Sequence, residues 1–375
     1  MRKGLFPHLV GYPTKKFFRG ERAMQEKKAY LECMRILACF LVFVNHTNSS
    51  IFLDTSPSPT WFLSVAYFFA SKTAVPLFLL VSGALLLEKS DTPEKSAQRL
   101  LRTGLVLFVF STGYYFFYAW RKGTPLGLRD FLGKLLHGNI TNAFWYLYLY
   151  LAILCTLPAL QCMAKALDRR VLQWILVLSV GVLGAVPVAQ IFLPEFYLSP
   201  RFSQGLFSPF LGMVLWGYAI ERYMPVTKAR AGIAGALFLL LTALQTIATY
   251  KLFQQNPQNY LVLDNATYLP ISASAACLYI IIKYAYTQFP LPEKVQKSVW
   301  GLGRLTFGCY LLGDAAINLT KPLFTFLKKY LHPLPAVFLW ELVLFASCAA
   351  VVFLWKWCWA QRRTKRALGG RKKAP

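Results

Sequence analysis

Apolar residues run through this chain in blocks of membrane length, separated by short polar and mostly basic connections. A helix needs about 20 apolar residues to cross a bilayer, and such runs fall at residues 30–52, 61–87, 103–120, 143–163, 171–193, 205–221, 231–253, 267–287, 300–319 and 335–358. The pattern predicts an all-α, polytopic integral membrane protein with about ten transmembrane helices. Proline and glycine gather in connections such as LPEFYLSPRF and HPLPAV, where helices are expected to end. Residues 1–29 then form a basic tail, 30–358 a transmembrane domain and 359–375 a second basic tail. The first tail lacks the apolar stretch of a signal peptide, and is expected to rest on the membrane surface through Leu5, Phe6, Phe17 and Phe18.

Composition agrees with this class. Of 375 residues 56% are hydrophobic and 15% charged, whereas an ordinary soluble domain carries about 25% charged residues. The net charge of +26 would suit nucleic acid if it covered a soluble surface. Its distribution argues otherwise, because 30 of the 41 Lys and Arg lie in one alternating set of connections and tails and 9 in the other. Lys and Arg favour the cytoplasmic side, so both termini are expected there. The basic excess is thus a topology signal with some attraction for anionic lipid, and no nucleic-acid partner is expected. The eight cysteines sit in or beside apolar runs without a CxxC pair, so neither a metal centre nor a disulfide framework is expected.

Ionisable residues at membrane depth cost on the order of 3 kcal/mol each unless they find a partner or water, so they mark function. Arg35, His46, Lys72 and Asp314 are the main ones here, with Glu32 and Asp54 near the ends of the first run. Eleven residues at 100° each bring His46 within about 20° of the helical face of Arg35, roughly 16 Å further along the axis. Arg35 alone can snorkel to the cytoplasmic interface, but His46 lies in the outer half of the run. Asn45, Thr47, Asn48, Ser49 and Ser50 make that end polar, so it should face a cavity rather than lipid. An imidazole there can act as a general base or as a nucleophile. Arg99 and Arg102, at i and i+3, are either an ordinary basic boundary or a fork for phosphate that converges with Arg35. Ser82 and Gly83, after Pro76, allow close approach of a backbone or a slender ligand. Trp61, Trp145, Tyr146 and Tyr197 read as interfacial anchors.

Together these motifs resemble the acyltransferase 3 family of membrane-bound acyltransferases, which includes O-acetyltransferases of bacterial surface polysaccharides. Arg35 to His46 is similar to its R-x10-H motif, Ser82-Gly83 to its SG motif and Arg99-Leu-Leu-Arg102 to its RxxR motif. AFWYLYLYLAILCTLPAL and PFLGMVLWGYAIERY resemble its aromatic fourth and glycine-containing sixth helices. One departure stands out: Gly313, followed by Asp314, occupies the place of a late family histidine. The resemblance implies an acyltransferase in the bacterial cytoplasmic membrane that moves an acyl group from cytoplasmic acetyl-CoA, or another short acyl-CoA, to a hydroxyl of a glycan or lipid-linked sugar. In that reading His46 and Arg35 are catalytic, Arg35, Arg99, Arg102, Ser82 and Gly83 hold the donor, and no cofactor is permanently bound. Asp314 either serves near the missing histidine or has a structural part, as a helix cap or partner of Lys321. Lys72 reaches the outer interface or a cavity wall. A transporter or flippase of a glycan or lipid precursor is the competing class, since intramembrane Arg, Lys and His also mark transport paths.

Overall fold

In a computed structural model, residues 28–53, 55–196, 198 and 208–371 are described, with side chains through Gln361. Most of the first basic tail, Asp54, Tyr197 and the side chains of the second tail beyond Gln361 lie outside these residues. The described chain is helical with no strand. In chain order the helices are α1 (Ala29–Thr47), α2 (Ser49–Phe52), α3 (Pro59–Lys72), α4 (Ala74–Leu86), α5 (Pro93–Lys122), α6 (Leu128–Leu136), α7 (Trp145–Ala166), α8 (Arg169–Leu176) and α9 (Leu183–Phe192). They continue as α10 (Pro209–Tyr223), α11 (Lys228–Gln255), α12 (Leu269–Gln288), α13 (Glu293–Gly303), α14 (Thr306–Leu327) and α15 (Pro333–Arg371). A π-helical segment, Val177–Val182, joins α8 to α9.

Local chemistry sets the helix ends. Ser58 and Thr92 accept a hydrogen bond from the backbone three residues on, and each precedes a proline whose fixed φ suits the first turn. Asp168 accepts from the N–H groups of Arg170 and Val171 at the start of α8. Gly123 closes α5 at φ 63°, a left-handed conformation that glycine adopts without steric cost.

Among the described residues, eight helices are long and apolar enough to cross a membrane: Ala29–Phe52, Pro59–Leu86, Pro93–Lys122, Asn142–Ala166, Arg169–Phe192, Lys228–Gln255, Leu269–Gln288 and Pro333–Gln361. The other two expected runs correspond to α10, of 15 residues, and to α14, whose 22 residues include Asp314, Asn318, Lys321 and Pro322. The run expected at 300–319 is split: α13 ends at Gly303, and the following helix starts at Thr306 and continues to Leu327. The run expected at 61–87 is also two helices, broken at Thr73. Pro76 has no N–H to offer the Lys72 carbonyl four residues back, and the break falls there.

The middle of the bundle is α1, which packs against α3, α4, α12, α13, α14 and α15. Leu31, Met34 and Ala38 of α1 meet Leu77, Leu80 and Ala84 of α4 and Ala275 and Tyr279 of α12 in one core cluster. Helices α4 and α10 touch backbone to backbone. A Cβ on Gly83 would lie 1.8 Å from the Val214 carbonyl oxygen, and one on Gly217 would lie 1.9 Å from that of Leu80. Trp61 is buried against Phe62, Tyr250 and Phe253 rather than placed as an interfacial anchor, because α3 and α11 close over it.

Candidate functional site

The central helix presents Arg35 and His46 to the same cavity, of about 920 Å³, lined as well by Ser82, Lys72, Lys89 and Tyr146. The shared helical face anticipated from their spacing is therefore a cavity wall. A second chamber of about 280 Å³ is lined by His46, Tyr118, Thr141, Tyr310 and Asp314. Val42, His46, Asn142, Ala143 and Tyr310 belong to both. His46 thus stands where the long cavity meets the small chamber. Its side chain offers an open surface, and that surface faces these cavities in the interior of the bundle. Lys72 and Asp314 are the charged groups whose fields reach it.

At the Arg35 end, the guanidinium donates through Nη1 to both oxygens of Glu32, at 2.9 and 3.1 Å. One turn of helix supplies this pairing, which orients the fork and leaves its other N–H groups to the cavity. Lys89, exposed at the cavity rim, adds a second cation. Partial burial of its ammonium pushes it below the ordinary lysine value, and the charge of Arg99 adds to the fall. Arg99 itself is engaged in two hydrogen bonds to Asp91, at 2.5 and 3.2 Å. Burial alone would raise the Asp91 carboxyl, but hydrogen bonds from Gln161 and Arg99 hold it below its usual value. Arg102 is exposed, and neither it nor Arg99 lines the cavity. The three guanidiniums expected to converge are thus one in the cavity and two beyond its wall.

Ser82 lines the cavity within hydrogen-bonding reach of Tyr146. Its neighbour Gly83 faces the other way, into the α4–α10 contact, where it has no room for a side chain. Tyr146 stacks on Tyr150 with ring centroids 6.2 Å apart and meets Tyr310 edge to face at 6.1 Å. Trp145 and Tyr146, read from the sequence as anchors, are cavity wall, since α7 turns this face inward. Lys72 also takes its cavity-wall position, its Nζ 2.9 Å from Asp264 Oδ2.

At the His46 end, Asp314 accepts hydrogen bonds from Tyr118, from Thr141 Oγ1 at 2.6 Å and from Asn318 Nδ2 at 3.2 Å. It neither caps a helix start nor bonds Lys321; it is mid-helix and faces the chamber shared with His46. Glu341 was not singled out by the sequence reading, although a lone carboxylate in the apolar run FLWELVLF is a visible signal. It is fully buried and accepts from Thr47 Oγ1 at 2.7 Å and from the Tyr67 hydroxyl at 2.6 Å. That tie holds α15 and α3 to the residue next to His46.

A long cavity with cations at one end and an imidazole at the other has the shape to align a slender anionic molecule along α1. The acyltransferase 3 domain family matches residues 28–360. The chain belongs to this family. As a family member it is a multi-pass membrane protein of an acyltransferase class, and the matched span contains both cavities and every motif residue from Arg35 to Arg102. Neither the curated proteins nor the solved structures contain a match to it.

Proposed function

We propose that the protein is an O-acyltransferase that takes an acyl group from cytoplasmic acetyl-CoA, or another short acyl-CoA, and delivers it to a hydroxyl of a glycan or lipid-linked sugar outside the bacterial cytoplasmic membrane. The observation that carries this reading is the position of His46 at the junction of two chambers, one reaching back to Arg35 and one lined by Asp314. The Arg35 end lies on the side of both termini, which the Lys and Arg distribution assigns to the cytoplasm. CoA presents phosphates at one end and its thioester at the tip of a narrow pantetheine arm. Arg35 and Lys89 meet the phosphate end at the rim, Arg102 adds a charge outside the wall, and Ser82 and the tyrosine stack border the arm. Arg99 keeps its fork on Asp91 and braces the loop that carries Lys89, and Gly83 keeps α4 against α10.

The acceptor hydroxyl approaches through the small chamber. As its oxygen bonds to the thioester carbon, His46 takes the hydroxyl proton. The carbonyl re-forms, the carbon–sulfur bond breaks, and the thiolate leaves and is reprotonated by the imidazolium. In the two-step version an imidazole nitrogen of His46 attacks the thioester carbon, the CoA thiolate leaves and is protonated, and the acceptor hydroxyl then takes the acyl group from the imidazole, which regains its proton. The test uses purified protein in lipid with radiolabelled acetyl-CoA and hydroxyl acceptors. The parent should release label from CoA, while His46→Ala should lose about 10² to 10⁴ in rate. Arg35→Ala should weaken CoA binding. Acceptor moved across the membrane with no thioester consumed in any sample would favour the transporter instead.

A further inference from the structure

The face of α14 that carries Asp314 does not end at the chamber. Asn318, Lys321 and Thr325 continue it at intervals of three and four residues, one polar stripe along the helix, and Lys329 follows in the turn after its end at Leu327. With Arg121 of α5 they line a groove of about 610 Å³ at the same end of the bundle as His46. Asn318 links the two spaces: it lines the groove and donates to Asp314, which lines the chamber. Pro322 sets the groove wall. Lacking an N–H, it frees the Asn318 carbonyl four residues back, and Arg121 Nη1 donates to that oxygen at 3.1 Å. Lys321 and Lys329 are exposed, and their ammonium groups have no partner among the described residues. Among the described residues no acidic one lines the groove.

A second observation comes from charge distribution. The connections on the His46 side hold only 9 of the 41 Lys and Arg, yet 3 of those, Arg121, Lys321 and Lys329, line this groove. The positive-inside tendency works against cations on that side, so their concentration at one place calls for a ligand.

The geometry points to an anion-binding subsite for the acceptor, a groove in which Arg121, Lys321 and Lys329 hold a phosphate of a phosphate-bearing sugar or glycan while its hydroxyl enters the Asp314 and His46 chamber. This deepens the acyl-transfer reading and rests on it for the direction of transfer. Seven helical steps separate Asp314 from Lys321, so the nearest phosphate sits roughly 10 Å from the reacting hydroxyl. Phosphate carries the affinity through charge and leaves the choice of hydroxyl to the chamber, as Arg and Lys recognise phosphate without reading what is attached to it.

The test uses the full chain in phosphatidylcholine nanodiscs. Binding is measured for a soluble glycerol phosphate oligomer, for an isoprenyl diphosphate in the bilayer and for an uncharged glucan oligomer. The variants are Lys321→Gln/Lys329→Gln and, at the opposite end, Arg169→Gln/Arg170→Gln. One phosphate probe should bind the parent and the second variant alike, and bind Lys321→Gln/Lys329→Gln about tenfold or more weakly. The glucan should bind none of them. Binding of the isoprenyl diphosphate locates the phosphate on a lipid anchor, and binding of the oligomer locates it in a soluble chain. Loss of neither probe in the groove variant, or no phosphate binding by the parent, overturns the subsite. So does binding abolished by adding phosphatidylglycerol to the disc, which would assign the groove to bulk lipid headgroups. Thioester consumption on the same samples separates the two claims: label released without phosphate binding sinks the groove alone, and phosphate bound without label release sinks acyl transfer alone.

Discussion

Lys89 and Arg99 show how neighbouring cations divide work that a motif alone would assign to one of them. Arg99 spends its fork on Asp91, itself held by two hydrogen bonds with Gln161. The Lys89 ammonium at the cavity rim has no partner among the described residues, and its partial burial lowers its pKa from the ordinary 10.5. An ammonium is charged below its pKa, so its attraction for the phosphates of the proposed donor is present on that side. That attraction is lost as pH rises through the lowered value. CoA affinity of the parent, titrated from neutral to alkaline pH, should therefore fall earlier than that of Lys89→Arg, whose guanidinium stays charged throughout. Coincident profiles would remove Lys89 from the donor site. The motif pattern named Arg99 because spacing is visible in sequence, whereas its partner Asp91 and the rim position of Lys89 depend on how the loop before α5 folds back.

Between elements, the α4–α10 crossing is set by two glycines. Because a Cβ at Gly83 would meet backbone rather than a movable side chain, Gly83→Ala forces the helices apart, an overpacking cost of typically 1–3 kcal/mol. Thermal unfolding in detergent should show a clear drop for Gly83→Ala and for Gly217→Ala. Gly104→Ala, where nothing lies within 4 Å, should be neutral or slightly stabilising. An unchanged midpoint at Gly83 would mean that the two backbones are not in contact. The same comparison explains what was legible in the chain. Hydrophobic runs and the Arg35 to His46 face are local, governed by one helix and its period; the face appears as read, and eight of the ten expected runs correspond to spanning helices among the described residues. The break at Thr73 needed only Pro76 and was readable as a bend. The partners of Asp314 were not readable: Tyr118 and Thr141 are 196 and 173 residues away, on elements whose apposition only packing determines. Trp61, Trp145 and Tyr146 were misplaced for the same reason, since an aromatic at a helix end looks alike whether it meets headgroups, a core or a cavity.

At the scale of the molecule, the proposed transfer requires the Arg35 end and the His46 end to face opposite sides of the membrane. Glu341 contributes by tying α15 to α1 and α3 through Thr47 and Tyr67, so the His46 end of α1 is anchored in the bundle. The proposed reading needs that end outside, and labelling can test it directly. With the exposed Cys155, Cys162 and Cys358 replaced by serine, single cysteines are introduced at Lys329, in the groove, and at Arg102, near the Arg35 end. A membrane-impermeant maleimide applied to intact cells should modify Lys329→Cys at once. It should modify Arg102→Cys only after the membrane is opened. The reverse order would place the donor end outside, away from cytoplasmic acyl-CoA, and would defeat the proposed direction of transfer. Labelling of both from one side would mean that the long cavity and the groove share an aqueous compartment, and a two-sided transfer through His46 would then be impossible. The parent order leaves a single continuous route: donor from the cytoplasm along α1, acceptor from outside along α14, and the imidazole where they meet.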